Sequence, residues 1–161
     1  MNKYHLRRSE KAIQDEHELL EILQKQQVMT LAMAHENTPY LVTMNYVFEK
    51  SEKCLYFHCA KEGKKIEFLD ANPVVWGQIL EDQGYLDGKC DYAYRSIHFE
   101  GSVEFLTEVQ KKRKALLMLI DHFEQNPEEL RKKYIQENQL ARALVGKIII
   151  NGMSGKKSTG S

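Results

Sequence analysis

The residues with most to offer chemically lie in one stretch, Tyr56-Phe57-His58-Cys59-Ala60-Lys61-Glu62-Gly63-Lys64-Lys65. An alternating strand pattern ends there, a glycine lets the backbone turn closely, and two lysines open a helical segment. Free amides and the positive dipole end at a helix N-terminus attract an anion, and an ammonium adds a full charge. In outline this is a phosphate cradle. The competing reading is a solvated basic turn, which is what runs of charge usually are. Spacing to the preceding hairpin adds weight to the cradle. Thr43 and Asn45 share one face of a strand and can aim toward the cleft that the His58 loop borders.

Other candidate motifs carry less. Gly152 to Ser158 has the wrong glycine spacing for a phosphate loop, and only Thr159, Gly160 and Ser161 remain to form its helix. His35-Glu36 lacks the second histidine four residues on that a zinc helix needs, and no other ligand spacing is evident, so no metal is expected. Lys111-Lys112-Arg113-Lys114 reads as the polar face of a helix whose apolar side is Leu116, Leu117 and Ile120. Trp76 sits in a strand pattern and reads as core or interface.

These residues need a scaffold, and its elements are legible in outline. Asp15 and Glu18 mark a helix start, with Leu20 and Leu23 on one face, running to about Gln26. Strand patterns follow over 28–34 and 40–48, joined by a polar turn, and a third covers 54–60. A short helix over 66–72 stops at Pro73. Strands are predicted over 73–80 and over 96–105, the latter with a bulge or bend at Gly101. Between them Glu81 to Tyr94 is an exposed excursion of unreadable conformation. Thr107-Glu108-Val109-Gln110 is a capping box for a helix to about Phe123, and Asn126-Pro127 opens a second. A sixth strand covers 144–150.

Short turns between the first three strands exclude a parallel sheet. The fold class expected is therefore α+β: an antiparallel six-stranded split β-barrel, Greek-key-like, with an N-terminal helix, a short helix after the third strand and a helical insertion before the last. A chain of 161 residues favours one domain, here 1–154, with 155–161 a flexible tail. Twenty-three basic and 23 acidic residues cancel, which argues against a nucleic-acid partner. No apolar run is long enough to span a bilayer, and three cysteines without a CxxC fit reduced thiols. A cytoplasmic protein with no membrane partner is expected.

A flavin needs hydrogen bonds along the heteroatom edge of its ring, an apolar surface for the rest, and cations for its phosphate, and these strands and the basic turn supply all three. The resemblance goes further. Arg7-Arg8, the capped first helix, Met44-Asn45-Tyr46, Tyr56-Phe57-His58-Cys59-Ala60 with Gly63-Lys64-Lys65, Asn72-Pro73 and Met153-Ser154-Gly155-Lys156 resemble, in order, the nitroimidazole-resistance-type flavoproteins. These belong to the FMN-binding split-barrel class that includes pyridoxamine 5′-phosphate oxidase.

The resemblance implies a homodimer with flavin at the subunit interface, FMN first and FAD as the alternative. It places Thr43, Met44, Asn45 and Tyr46 beside the ring, His58 and Cys59 at the end of the adjacent strand, and Gly63, Lys64 and Lys65 at the phosphate. Related oxidases carry a Ser-Arg-Lys-like sequence at that turn. Glycine for serine and lysine for arginine remove a hydroxyl and a bidentate fork, shifting the phosphate's support toward backbone amides. His58 is the catalytic candidate, an imidazole that could donate a proton beside a reduced ring, or else a simple hydrogen-bond donor to the cofactor. Cys59 reads as a packing residue.

The function expected is an FMN-dependent oxidoreductase that takes electrons from NAD(P)H and reduces a small organic acceptor, nitro compounds among the options. The alternative is a non-catalytic flavin- or haem-binding protein of stress response or sensing, with His58 and His98 as the candidate haem ligands.

Overall fold

The computed structural model describes residues 7–159. A 3₁₀ turn at Ser9–Lys11 leads into the two-residue strand β1 (Ala12–Ile13) and helix α1 (Glu16–Lys25). Asp15 caps α1 by accepting the His17 amide at 2.9 Å, which satisfies one of the free donors of its first turn. Glu18 does not complete the cap but accepts from Lys157 at 2.7 Å. Strands β2 (Val28–His35), β3 (Thr38–Asn45), β4 (Val47–Glu49) and β5 (Cys54–Cys59) follow, then helix α2 (Lys64–Ala71) and the long strands β6 (Val74–Leu86) and β7 (Asp91–Phe105). Helices α3 (Val109–Phe123), α4 (Glu128–Tyr134) and α5 (Glu137–Arg142) precede the last strand, β8 (Leu144–Ser158). No helix among the described residues is long and apolar enough to cross a membrane.

All pairings are antiparallel, in the order β3-β2-β6-β7-β8-β5-β4, with β1 beside β8. The two ends of that order are consecutive in the chain. The run from Thr38 to Glu49 begins paired with β2 and, past Tyr46, finishes paired with β5. One length of chain thus closes the sheet into a split barrel, and the molecule is α+β. Inside lie the apolar alternates of each strand, among them Leu31, Met44, Phe57, Ile79, Phe99 and Ile148, with Ile22 and Leu23 of α1 and Phe68 and Leu69 of α2 closing the ends. Two rings lie over glycines directly across the ladder. A β-carbon at Gly77 would sit 2.0 Å from the Phe99 ring, and one at Gly146 would sit 2.2 Å from Phe57.

A second core forms on the outside of the barrel. Val47, Cys54, Tyr56 and Val145 pack there against Leu106, Ala115, Leu116, Leu119 and Leu140. The helical insertion therefore covers the outer face of β4, β5 and β8. Over β2, β3 and β6 no helix among the described residues covers that face, and Leu41 is 64% and Trp76 41% exposed.

Several boundaries differ from expectation. Eight strands replace six: β1 is added, and the segment over 40–48 breaks at Tyr46, where pairing switches from one neighbour to another. The excursion from Glu81 to Tyr94 is the outer half of the β6–β7 hairpin, paired as far as Leu86 and Asp91 around a register shift at Gly84 (φ +91°). No tail begins at Gly155. Gly155 to Ser158 pair with Ile97 to Tyr94 of β7, while Gly160 and Ser161 lie outside the described residues. Backbone pairing holds this segment, whose polar side chains show no apolar period. The ladder is irregular at Gly101, but the extra residue is on the partner strand: Glu100 pairs with Gly152 and Gly101 with Ile150, which leaves Asn151 of β8 as the bulge. Helix α3 starts one residue later than the capping box implies, with Glu108 at its N-cap and no side-chain bond there.

Candidate functional site

The basic turn keeps the character its residues suggest. Gly63 is the N-cap of α2 at φ +117°, a conformation that a side chain disfavours, and no side chain caps the helix. Its carbonyl accepts from Ile66 at 2.8 Å and Glu67 at 3.2 Å. The Lys64 and Lys65 amides, in the first turn, have no acceptor within the helix. The Lys64 ammonium lies 4.9 Å from the centre of the Tyr40 ring and 5.6 Å from that of Phe68. The Lys65 ammonium lies 3.1 Å from the Met44 sulfur. Neither forms an ion pair with a described residue. Aromatic and thioether surfaces thus order both cations without neutralising them.

The second basic run is committed to structure. Lys111 pairs with Glu108 at 2.6 Å and Lys114 with Glu52 at 2.6 Å. Buried Lys112 donates to the Ala143 carbonyl at 2.9 Å, and Arg113 to the Ile135 carbonyl at 3.1 Å.

The strand residues divide by face. Thr43 is on the bare outer face, its hydroxyl 3.4 Å from that of Thr30 across the ladder. Asn45 follows on the same side, and with His58, exposed at the end of β5, it lines a cavity of about 510 Å³ beneath α3, α4 and α5. Met44 and Tyr46 point the other way. Tyr46 is wholly buried, its hydroxyl donates to the Leu23 carbonyl at 3.0 Å, and burial pushes its phenol far above the ordinary range. Its side chain therefore serves the core. Cys59 is half-buried beside the inner core; burial raises its thiol pKa and the nearby Lys65 charge opposes that rise. The nine expected residues fall into three groups: Thr43, Asn45 and His58 outside, Met44, Tyr46 and Cys59 inside, and Gly63, Lys64 and Lys65 at the start of α2.

His98 also faces outward. One of its ring nitrogens is 3.3 Å from the Gln78 amide nitrogen, and burial, then Lys156, lowers its pKa. His58 pairs across β8 with Val145 and His98 with Ser154, nine residues further along that strand, so the two imidazoles cannot meet on one iron. Among the described residues, no three His, Cys, Asp or Glu side chains form a metal cluster. Sequence reasoning missed the cavity, because its walls come from three helices and two strand ends with no shared motif. The apolar face of α3 was readable, but not the space left beneath it.

A family model for pyridoxamine 5′-phosphate oxidase matches residues 15–157. The chain belongs to that family. Among solved structures of the same fold is a "putative 5-nitroimidazole antibiotic resistance protein" from Bacteroides thetaiotaomicron VPI-5482, 27% identical, covering 91% of this chain and 86% of its own at a TM-score of 0.76. An FAD-binding protein from Mesorhizobium loti is 25% identical over 90% of this chain and 96% of its own, at 0.65. An FAD and heme binding protein from Mycobacterium smegmatis is 18% identical over 92% and 74%, at 0.74, a likeness of fold alone. No curated protein matches the chain. The likeness read from the strand, the basic helix start and Asn72-Pro73 thus holds for the pyridoxamine 5′-phosphate oxidase family and for its split barrel.

Proposed function

We propose that this member of the pyridoxamine 5′-phosphate oxidase family is a flavin-dependent oxidoreductase that binds FMN, with the phosphate at the start of α2 and the ring against the bare face of β3. The observation that carries this reading is the pair Lys64 and Lys65, two ordered cations without a carboxylate partner among the described residues, whose own backbone amides have no acceptor within the helix that Gly63 opens. Thr43 offers a donor and an acceptor to a heteroatom edge, and Leu41 and Trp76 offer apolar surface. FMN is favoured over FAD because the second basic run is already paired and leaves one cradle for phosphate.

The exposed Leu41, Val74, Trp76 and Leu80 on this face support a homodimer, since a second copy laid there would cover them and enclose the ring. Bound flavin supplies two-electron transfer from a nicotinamide donor to a small organic acceptor, a nitro compound being one such acceptor. The chain's own part is to hold the phosphate at α2, exclude water through the paired face, orient the acceptor by Asn45 and offer a proton from the His58 imidazole.

A second reading, a flavin or haem binder without turnover, draws support from the single histidine, His58, in the wall of the cavity. The absorbance spectrum of the purified protein separates flavin from haem. Anaerobic NADH or NADPH should then bleach the flavin bands; a flavin spectrum that neither donor bleaches overturns the reductase reading.

A further inference from the structure

The cavity beneath α3–α5 is not the phosphate cradle, for none of Gly63, Lys64 and Lys65 lines it. Its lining joins residues of the helical cover to Asn45, the last residue of β3. Asn45 and His58 stand at its barrel end, and Ile120 and Phe123 of α3 form part of its apolar wall. At about 510 Å³ it falls within the roughly 300–1,000 Å³ range of small-molecule sites. Glu124 and Arg142 also line it, and neither forms an ion pair with a described residue. One charge of each sign leaves the site without net charge. Both are exposed, so water screens them and neither sign of charge gains a net attraction, while any charged group must shed water against the apolar walls. Asn45 and His58 make no side-chain hydrogen bond to a described residue, so both are available at the barrel end.

We infer that this cavity binds an uncharged, mostly apolar organic molecule whose single hydrogen-bonding group meets Asn45 and His58. The inference rests on the flavin reading to the extent that this molecule is the acceptor of that site. It makes the acceptor class neutral and aromatic or branched-aliphatic, in place of a charged metabolite.

The test uses three probes of one shape, 2-naphthamide, 2-naphthoate and 2-naphthamidine, titrated calorimetrically into the full-length protein, with FMN affinity measured in parallel. Naphthamide should bind at least about tenfold tighter than either charged analogue. Ile120→Trp, which fills the cavity, should weaken naphthamide by at least about tenfold while changing FMN affinity less than about twofold. Leu130→Phe is the second filling variant if Ile120→Trp fails to fold.

Binding that ignores probe charge, or naphthamide affinity unchanged in a folded filling variant, overturns the inference and leaves the flavin reading intact. Parallel loss of FMN and naphthamide overturns it too, because the cavity is then part of the flavin site. So does displacement of naphthamide by hemin with a Soret shift. Selective naphthamide binding in a protein with no affinity for FMN sustains the cavity as a ligand site and removes the flavin reading alone.

Discussion

Replacing Lys64 and Lys65 together with alanine separates the two sources of flavin affinity. Lys64 is exposed above Tyr40 and Phe68, so water screens it and its ammonium adds no more than about 1 kcal/mol toward a phosphate oxygen. Lys65 is half-buried against Met44, where a hydrogen bond to a charged group contributes about 1.5–3 kcal/mol. Together the losses come to roughly 1.5–4 kcal/mol, or about one to three orders of magnitude in Kd. Fluorescence titration with FMN and with riboflavin, which has the same ring and no phosphate, reads the two parts apart. FMN affinity should fall by that factor and lose most of its salt dependence, while riboflavin affinity stays within about twofold. Lys111→Ala, which removes an exposed partner of Glu108, is the matched control; Lys112 is unsuitable because its ammonium is buried on the Ala143 carbonyl. Unchanged FMN affinity, or riboflavin falling in step with FMN, would refute the placement of the phosphate.

Gly77→Ala forces a β-carbon to within 2.0 Å of the Phe99 ring, and should cost about 1–3 kcal/mol, lowering Tm by about 2–4 °C for each kcal/mol in a thermal melt. The Glu52 carboxyl is held at about 2 by hydrogen bonds from Lys114 and Lys147. Its folded pKa is depressed, so the stability it contributes is present above the ordinary value of 4.5 and disappears as pH falls toward 2; urea midpoints of Glu52→Gln should vary less than wild type across that window. Among the thiols, exposed Cys90 should react with a disulfide reagent at once, and half-buried Cys59 slowly. Cys54, whose thiol burial pushes up, should react only on unfolding; three equal rates would contradict this burial order.

Strands with a clean two-residue period were legible, and those held by pairing alone were not. Leu55 and Phe57 announce an inward face, but Tyr56, on the opposite face, is also buried, because α3 covers that side of β5. No local pattern marks Tyr46 as the point where a strand changes partners, since its apolar neighbours continue without a break. The outer part of the β6–β7 hairpin mixes Gln83, Gly84 and Tyr85 without periodicity and is held by its ladder. At the site, composition identified Gly63-Lys64-Lys65, whose chemistry is local. It could not reveal that Lys112 is buried or that Arg142 and Glu124 share a cavity, because those are facts of tertiary packing.

The bare position at Gly146 reaches further than its own packing. Phe57 can settle only where the opposing strand leaves room for a ring, so any slippage between β5 and β8 would drive aromatic carbon into a side chain. The pair works as a dowel between two planks. With Phe57 pinned inward, the next residue along must turn outward, and that residue is His58. The imidazole's station at the cavity wall is thus dictated by an atom that the neighbouring strand, far along the chain, does without.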